Sequence, residues 1–133
     1  MRLIVDDFTF SLLIIFYANL LCKLSLSDEL MASITVFKFS SEDCGTCHRM
    51  SHYDEVVSKE LGYGFVNVML QDTDVYRRYR RLLLAQYPNK VGMGWPTYLL
   101  VSDPEGEFRI HGELKGGMPK GDFRKKLSLI EIN

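Results

Sequence analysis

Two cysteines two residues apart, Cys44 and Cys47, stand between a strand-like run and a helix-like one, and this placement constrains the chain more than any other feature. Ile34-Thr35-Val36-Phe37-Lys38-Phe39 is β-branched and aromatic, and Ser40-Ser41-Glu42-Asp43 bounds it as a loop, so Ser33–Phe39 reads as a strand. From Cys44 to about Leu61, the apolar positions Cys47, Met50, Val57 and Leu61 recur at helical spacing. Cysteines spaced in this way at the start of a helix can close a small, reversible disulfide. Unpaired N–H groups at the helix start and the helix dipole favour a thiolate on the first of them.

The rest of the chain supplies a matching frame. Gly62 stands where a C′ glycine would end the first helix, and Phe65–Leu70 reads as a second strand. Asp72 or Thr73 can cap a second helix with Val75, Tyr79, Leu82, Leu83 and Gln86 on one side, and Pro88 stops it. Thr97–Val101 is a strand, Asp103-Pro104-Glu105-Gly106 a turn, and Phe108–His111 an antiparallel return. Gly116-Gly117 breaks the chain, Pro119 fits the first position of a helix, and Phe123, Leu127 and Ile130 give that helix its apolar stripe. The order β-α-β-α-β-β-α predicts an α/β sandwich, with the first two strands parallel through a right-handed crossover and the last two a hairpin.

Composition sets the outer limits. With 133 residues, 47% of them apolar, the chain can bury a core without disulfide staples. A net charge of −1 gives no footing for nucleic-acid or anionic-membrane partners. Three cysteines do not make a secreted disulfide framework, and Cys22, in a separate apolar run, reads as a small buried hydrophobe. Residues 1–30 form an apolar extension ahead of a domain spanning 31–133. The run Phe8–Cys22 is shorter than the roughly 20 residues that span a bilayer. Asp6 and Asp7 precede it and no cleavage site follows, which disfavours a signal peptide. An extra helix, a start at Met31 and a membrane anchor stay open for it.

On Cys44-Gly45-Thr46-Cys47, Trp95-Pro96-Thr97, the Asp103–Gly106 hairpin and Gly117 before the last helix, the chain resembles the thioredoxin superfamily over roughly residues 33–130. The resemblance implies a thioredoxin-like sandwich, a central mixed sheet flanked by helices. It also implies thiol–disulfide exchange through Cys44 and Cys47, with Gly45 and Thr46 tuning the couple. Pro96 would be a cis proline facing the dithiol, and Trp95, Pro96 and Thr97 would hold the substrate. The first cysteine of such proteins can have a pKa near ~7 rather than ~8.5.

The departures are specific. Glu42 and Asp43 precede Cys44 where the family usually has tryptophan, and these carboxylates should raise the Cys44 thiol pKa while His48 and Arg49 oppose them. Lys38 holds the position of the family's buried aspartate, six residues before the first cysteine. Trp95 precedes the proline in place of a small or branched residue, and could supply the aromatic wall missing before Cys44.

Other chemistries fit parts of the pattern. Cys44-Gly45-Thr46-Cys47-His48 satisfies the haem-attachment spacing, with Met118 as a distal ligand, but the β-α-β order argues against it. Cys44, Cys47, His48 and His52 could hold zinc, although His48 points roughly 100° from Cys47 around a helix. A redox-dead interaction module is disfavoured by the intact cysteine pair. In Tyr76-Arg77-Arg78-Tyr79-Arg80-Arg81, Tyr79 falls on the buried side and the arginines outside, a solvated basic face rather than a nucleic-acid site.

The sequence therefore predicts a monomeric, cytoplasmic protein-disulfide oxidoreductase, acting as a reductant, with no metal and no cofactor. Its partners would be protein disulfides and an external thiol reductase or small-thiol donor. The alternative is a membrane-anchored or exported oxidoreductase attached through residues 8–22.

Overall fold

A computed structural model describes residues 34–90 and 92–132 of the chain. The expectations for residues 1–30, including the run 8–22 and Cys22, lie outside the described residues.

Four strands and four helices are found among those residues: β1 Thr35–Ser40, α1 Gly45–Met50, α2 Asp54–Glu60, β2 Gly64–Met69, α3 Thr73–Gln86, β3 Thr97–Ser102, β4 Arg109–Lys115 and α4 Lys120–Ser128. The strands form one mixed sheet in the order β2-β1-β3-β4. β1 runs parallel to β2, with Val36 opposite Phe65, and antiparallel to β3, with Val36 opposite Leu100. β3 and β4 form the antiparallel hairpin, with a bulge between Leu100 and Val101. This is a thioredoxin-like α/β sandwich.

The central strand explains the sandwich. Every residue of β1 is buried, because strands cover both its edges and helices cover both its faces. Alternation along the strand divides the core in two. Val36, with Tyr98 and Leu100 of β3, packs against Met50, Val57, Phe123 and Leu127 of α1, α2 and α4. Phe37 and Phe39, with Leu99 and Val101, pack against Leu83 of α3, Val68 and Phe108. Burial of each such side chain stabilises the fold by about 1.5–3 kcal/mol. Lys38 points to the first of these layers and is the one charged residue of this strand.

Several expected element boundaries need correction, among them β4, which spans Arg109–Lys115 and not Phe108–His111. The helix expected from Cys44 to Leu61 is two helices, broken at Ser51–Tyr53. There the Ser51 hydroxyl donates to the His48 carbonyl, and the N–H groups of His52 and Tyr53 reach back three residues, to Arg49 and Met50. Local side-chain and short-range bonds compete with the regular ladder and tighten the chain. Asp72 occupies the N-cap of α3 without a capping side-chain bond. Pro119 is itself an N-cap, and α4 starts one residue later.

Gly62 does end α2 at φ +86. Its N–H donates to Lys59 and that of Tyr63 to Ser58, the paired bonds of a Schellman motif. The hairpin turns through Asp103, whose positive φ of 50° is held by its carboxylate accepting the Glu107 N–H and its carbonyl accepting the Gly106 and Phe108 N–H groups. Among the described residues, no helix is long and apolar enough to cross a membrane.

Candidate functional site

β1 delivers the chain to the cysteines. At its end the Ser41 carbonyl accepts the Cys44 N–H at 3.1 Å, closing the turn that starts α1. Cys44 is the N-cap of α1, with extended backbone, and its Sγ accepts the Cys47 N–H at 3.0 Å. The two cysteines are disulfide-bonded, with Cα atoms 5.2 Å apart. Cys44 is half-buried, whereas Cys47 is 3% exposed. Cys44 is therefore the more accessible of the two to an approaching thiol or disulfide.

The spacer is open at Gly45, where an added Cβ would meet nothing, and packed at Thr46. Thr46 Oγ1 accepts from the Arg49 guanidinium at 3.0 Å, and its Cγ2 lies well inside van der Waals contact of where a Cβ would sit on Gly117. The glycine before α4 thus lets the cysteine loop lie against the start of that segment. Next to it, the Gly116 N–H donates to the Pro96 carbonyl at 2.9 Å.

The Trp95–Pro96 peptide is cis. Thr97 opens β3 opposite Phe39, so this loop sits at the same end of the sheet as the cysteines. Trp95 is half-buried, its ring 6.1 Å from that of Tyr76 on α3. Pro96 is buried. Thr97 is fully buried, and its hydroxyl donates to the Gly94 carbonyl at 2.6 Å, so its side chain serves the loop itself.

A cleft of about 230 Å³ opens beside the disulfide, lined by both cysteines, Lys38, Ser40, Glu42 and His48. Glu42 and Asp43 are exposed, so water screens their effect on Cys44. Beneath the cleft is a network that the sequence reading missed. Lys38 Nζ donates to the Cys47 carbonyl at 2.8 Å and pairs with Asp54 Oδ2 at 2.5 Å. The Tyr98 hydroxyl donates to the same carboxylate oxygen at 2.7 Å, and the Glu55 N–H donates to the other at 2.7 Å. Lys38 and Asp54 are each 2% exposed. Burial, reinforced by the hydrogen bond to Asp54, holds the Tyr98 phenol far above its usual range.

A signal for Asp54 exists in the sequence. It falls seven residues after Cys47 and four after Met50, on the apolar stripe, where an acid needs a partner.

The rival ligand sets are not assembled. His48 and His52 do approach, with ring centroids 6.0 Å apart. Among the described residues, however, no three His, Cys, Asp or Glu side chains come together in a way that could hold a metal ion. Met118 packs against the first core layer, and its carbonyl accepts the Tyr53 hydroxyl. On α3, Arg77, Arg78, Arg80 and Arg81 are exposed, while Tyr79 packs at a tilt against Phe37 and Phe108, and Tyr76 meets Phe39 edge-on and Trp95 at a tilt. Both tyrosine rings are half-buried and pack toward the second core layer.

No family model and no curated protein matches the sequence. Solved structures do match the fold. The thioredoxin of Aeropyrum pernix superimposes with a TM-score of 0.55 at 21% identity, over 80% of this chain and 82% of its own. That of Fasciola hepatica gives 0.52 at 16% identity, over 83% and 93%. A mutant thioredoxin of Halobacterium salinarum gives 0.52 at 15%, over 80% and 83%. The fold of this chain is the thioredoxin fold.

Proposed function

We propose that this thioredoxin-fold chain exchanges disulfides with protein substrates through Cys44 and Cys47, acting as a reductant. The observation that carries the reading is the asymmetry of the pair, one cysteine partly exposed at a helix start and the other buried in the same disulfide. Thiol–disulfide exchange needs an accessible thiolate to attack and a second thiol to resolve the mixed disulfide. Cys44 attacks a substrate disulfide and releases one substrate thiol. Cys47 then attacks Cys44, forming the internal disulfide and releasing the second substrate thiol. Two electrons pass from the cysteine pair to the substrate.

Trp95 and the backbone around Pro96 form the floor against which an extended substrate segment lies, and Gly45 and Thr46 set the geometry of the couple. A separate reductase or a small thiol returns the pair to the dithiol. Cytoplasmic action is part of this proposal, since thiols stay reduced there.

Trapping tests it. Cys47→Ser, reduced and mixed with insulin, should accumulate a covalent adduct that dithiothreitol dissolves, while Cys44→Ser should form none. An adduct that forms equally well without Cys44 would remove the assignment. Trp95→Ala should lower insulin-reduction turnover, and unchanged turnover would remove Trp95 from the substrate floor.

A further inference from the structure

The Lys38–Asp54–Tyr98 network lies directly under Cys47, and the exchange chemistry described so far makes no use of it. A buried ion pair is poor material for stability, because the loss of hydration offsets most of the attraction, and a packed apolar pair of the same volume commonly does as well. Nothing about the sheet requires a lysine at residue 38, where alternation calls for an apolar side chain facing Met50 and Tyr98. What sets the site apart is its contact. The ammonium hydrogen-bonds the backbone carbonyl of the buried cysteine, and both residues line the same cleft.

We propose that Lys38 is a positioning residue that stabilises the Cys47 thiolate, and that Asp54, anchored by Tyr98, sets how much of the Lys38 charge that thiolate feels. The inference rests on the exchange function proposed above. In the mixed disulfide Cys47 must ionise at a buried position, and burial by itself favours the neutral thiol. A cation held by the carbonyl of the same residue works against that penalty. The thiol proton leaves through the open cleft to water. Lys38 acts through its charge and its bond to the Cys47 carbonyl, not as the acceptor of the thiol proton. The Cys47 thiolate then attacks Cys44 Sγ, the Cys44–substrate bond breaks, and the departing substrate thiolate takes up a proton from water.

Other charges face the sulfur from the surrounding elements, namely Glu42 on the loop and His48 on α1, both exposed at the cleft. They are the same in every variant below, so differences between variants report the buried pair.

The two partners pull in opposite directions, which separates an electrostatic role from a structural one. Both Lys38→Met and Asp54→Asn break the ion pair, so a purely structural role would move Cys47 in the same way in both. The field account requires Lys38→Met to raise the Cys47 thiol pKa and Asp54→Asn to lower it, each by about one unit. Asparagine keeps an oxygen for the Tyr98 and Lys38 donors, so this variant removes the charge while holding those two contacts, and gives up the Glu55 N–H bond to the other oxygen.

The measurement is a pH titration of the reduced full chain with selectively 13Cβ-labelled cysteine, the Cys47 signal being identified by its loss in Cys47→Ser. Opposite shifts support the proposal. Shifts of one sign, or none, overturn it. If Lys38→Met does not fold, Asp54→Asn decides alone: a lowered Cys47 pKa supports the proposal, and an unchanged or raised one overturns it. Wild-type protein is tested separately for re-forming the Cys44–Cys47 disulfide with oxidised glutathione. Failure there overturns the exchange reading and this inference with it, whereas success with unmoved pKa values overturns only this inference.

Discussion

Tyr98→Phe removes one hydroxyl from the centre of the molecule, and the structure gives the size of the loss. Tyr98 is 1% exposed, and its hydroxyl donates to Asp54 at 2.7 Å. Hydrogen bonds to charged groups contribute about 1.5–3 kcal/mol. The ring itself keeps its place against Phe123, 4.8 Å away between centroids, so no large cavity opens. Removal of a buried hydroxyl gives back part of its desolvation cost, which brings the net loss to about 1–2 kcal/mol. With a urea m-value of about 1–3 kcal/mol/M, the unfolding midpoint should fall by roughly 1 M. Tyr53→Phe is the matched comparison, because its hydroxyl donates to a neutral carbonyl, that of Met118, at a half-buried site. That change should cost about 0.5–1.5 kcal/mol. Equilibrium urea unfolding of the oxidised protein, followed by circular dichroism, measures both. A Tyr98→Phe protein as stable as wild type, or less affected than Tyr53→Phe, would refute the claim that Tyr98 supports a charged Asp54.

Gly117→Ala should destabilise by about 1 kcal/mol, since its Cβ would clash with Thr46 Cγ2. In a Thr46→Ser background that methyl is absent, and the same change should instead stabilise by about 0.4–1 kcal/mol through reduced chain entropy, which a double-mutant cycle in urea reads directly. Glu113 follows a pH rule. Burial pushes its carboxyl up, but hydrogen bonds from Lys90 and Lys115 outweigh that and hold it below its ordinary value of 4.5. Its contribution to stability is therefore fully present above about 4.5 and fades as pH falls through the lower folded value. The stability gap between wild type and Glu113→Gln, measured by urea unfolding at several pH values, should be widest near neutrality and shrink in acid. Leu83→Ala, at a fully buried position under α3, should cost about 2–5 kcal/mol in the same assay, while Val56→Ala, 51% exposed, should change it by under about 0.5 kcal/mol.

What the sequence disclosed follows the range of the forces involved. β1 was readable because a β-branched, aromatic run between polar loops depends on local pattern alone, and Gly62 and the Asp103 turn announce themselves through backbone conformations that few residues adopt. The break at Ser51–Tyr53 was hidden because Cys47, Met50, Val57 and Leu61 keep helical spacing straight through it, while the interruption comes from a serine hydroxyl and three-residue backbone bonds. β4 runs on to Lys115, past the expected His111, since Gly112, Glu113 and Lys115 lack strand-like alternation and are held by pairing with β3. Phe108, read as the first residue of that strand, instead takes a φ of 48° in the turn and fills the second core layer. At the site, the cysteines, Trp95, Pro96 and Thr97 could be picked out by motif. Asp54 showed only as an acid on an apolar stripe, without its partners, and Tyr98 and the Thr46–Gly117 contact not at all, because these contacts join residues sixteen, 44 and 71 positions apart and only the folded chain brings them together.

The central claim is that Cys44 and Cys47 form a working redox couple, and its reduction potential tests that most directly. The protein is equilibrated in dithiothreitol and glutathione buffers of set potential, and free thiols are trapped by alkylation and counted by mass. The account predicts a reversible two-electron transition assigned to Cys44 and Cys47 near about −270 mV, in the range of reducing members of the fold. A transition near about −120 mV would contradict the reductant direction, and a pair that does not interconvert reversibly would contradict the exchange mechanism itself.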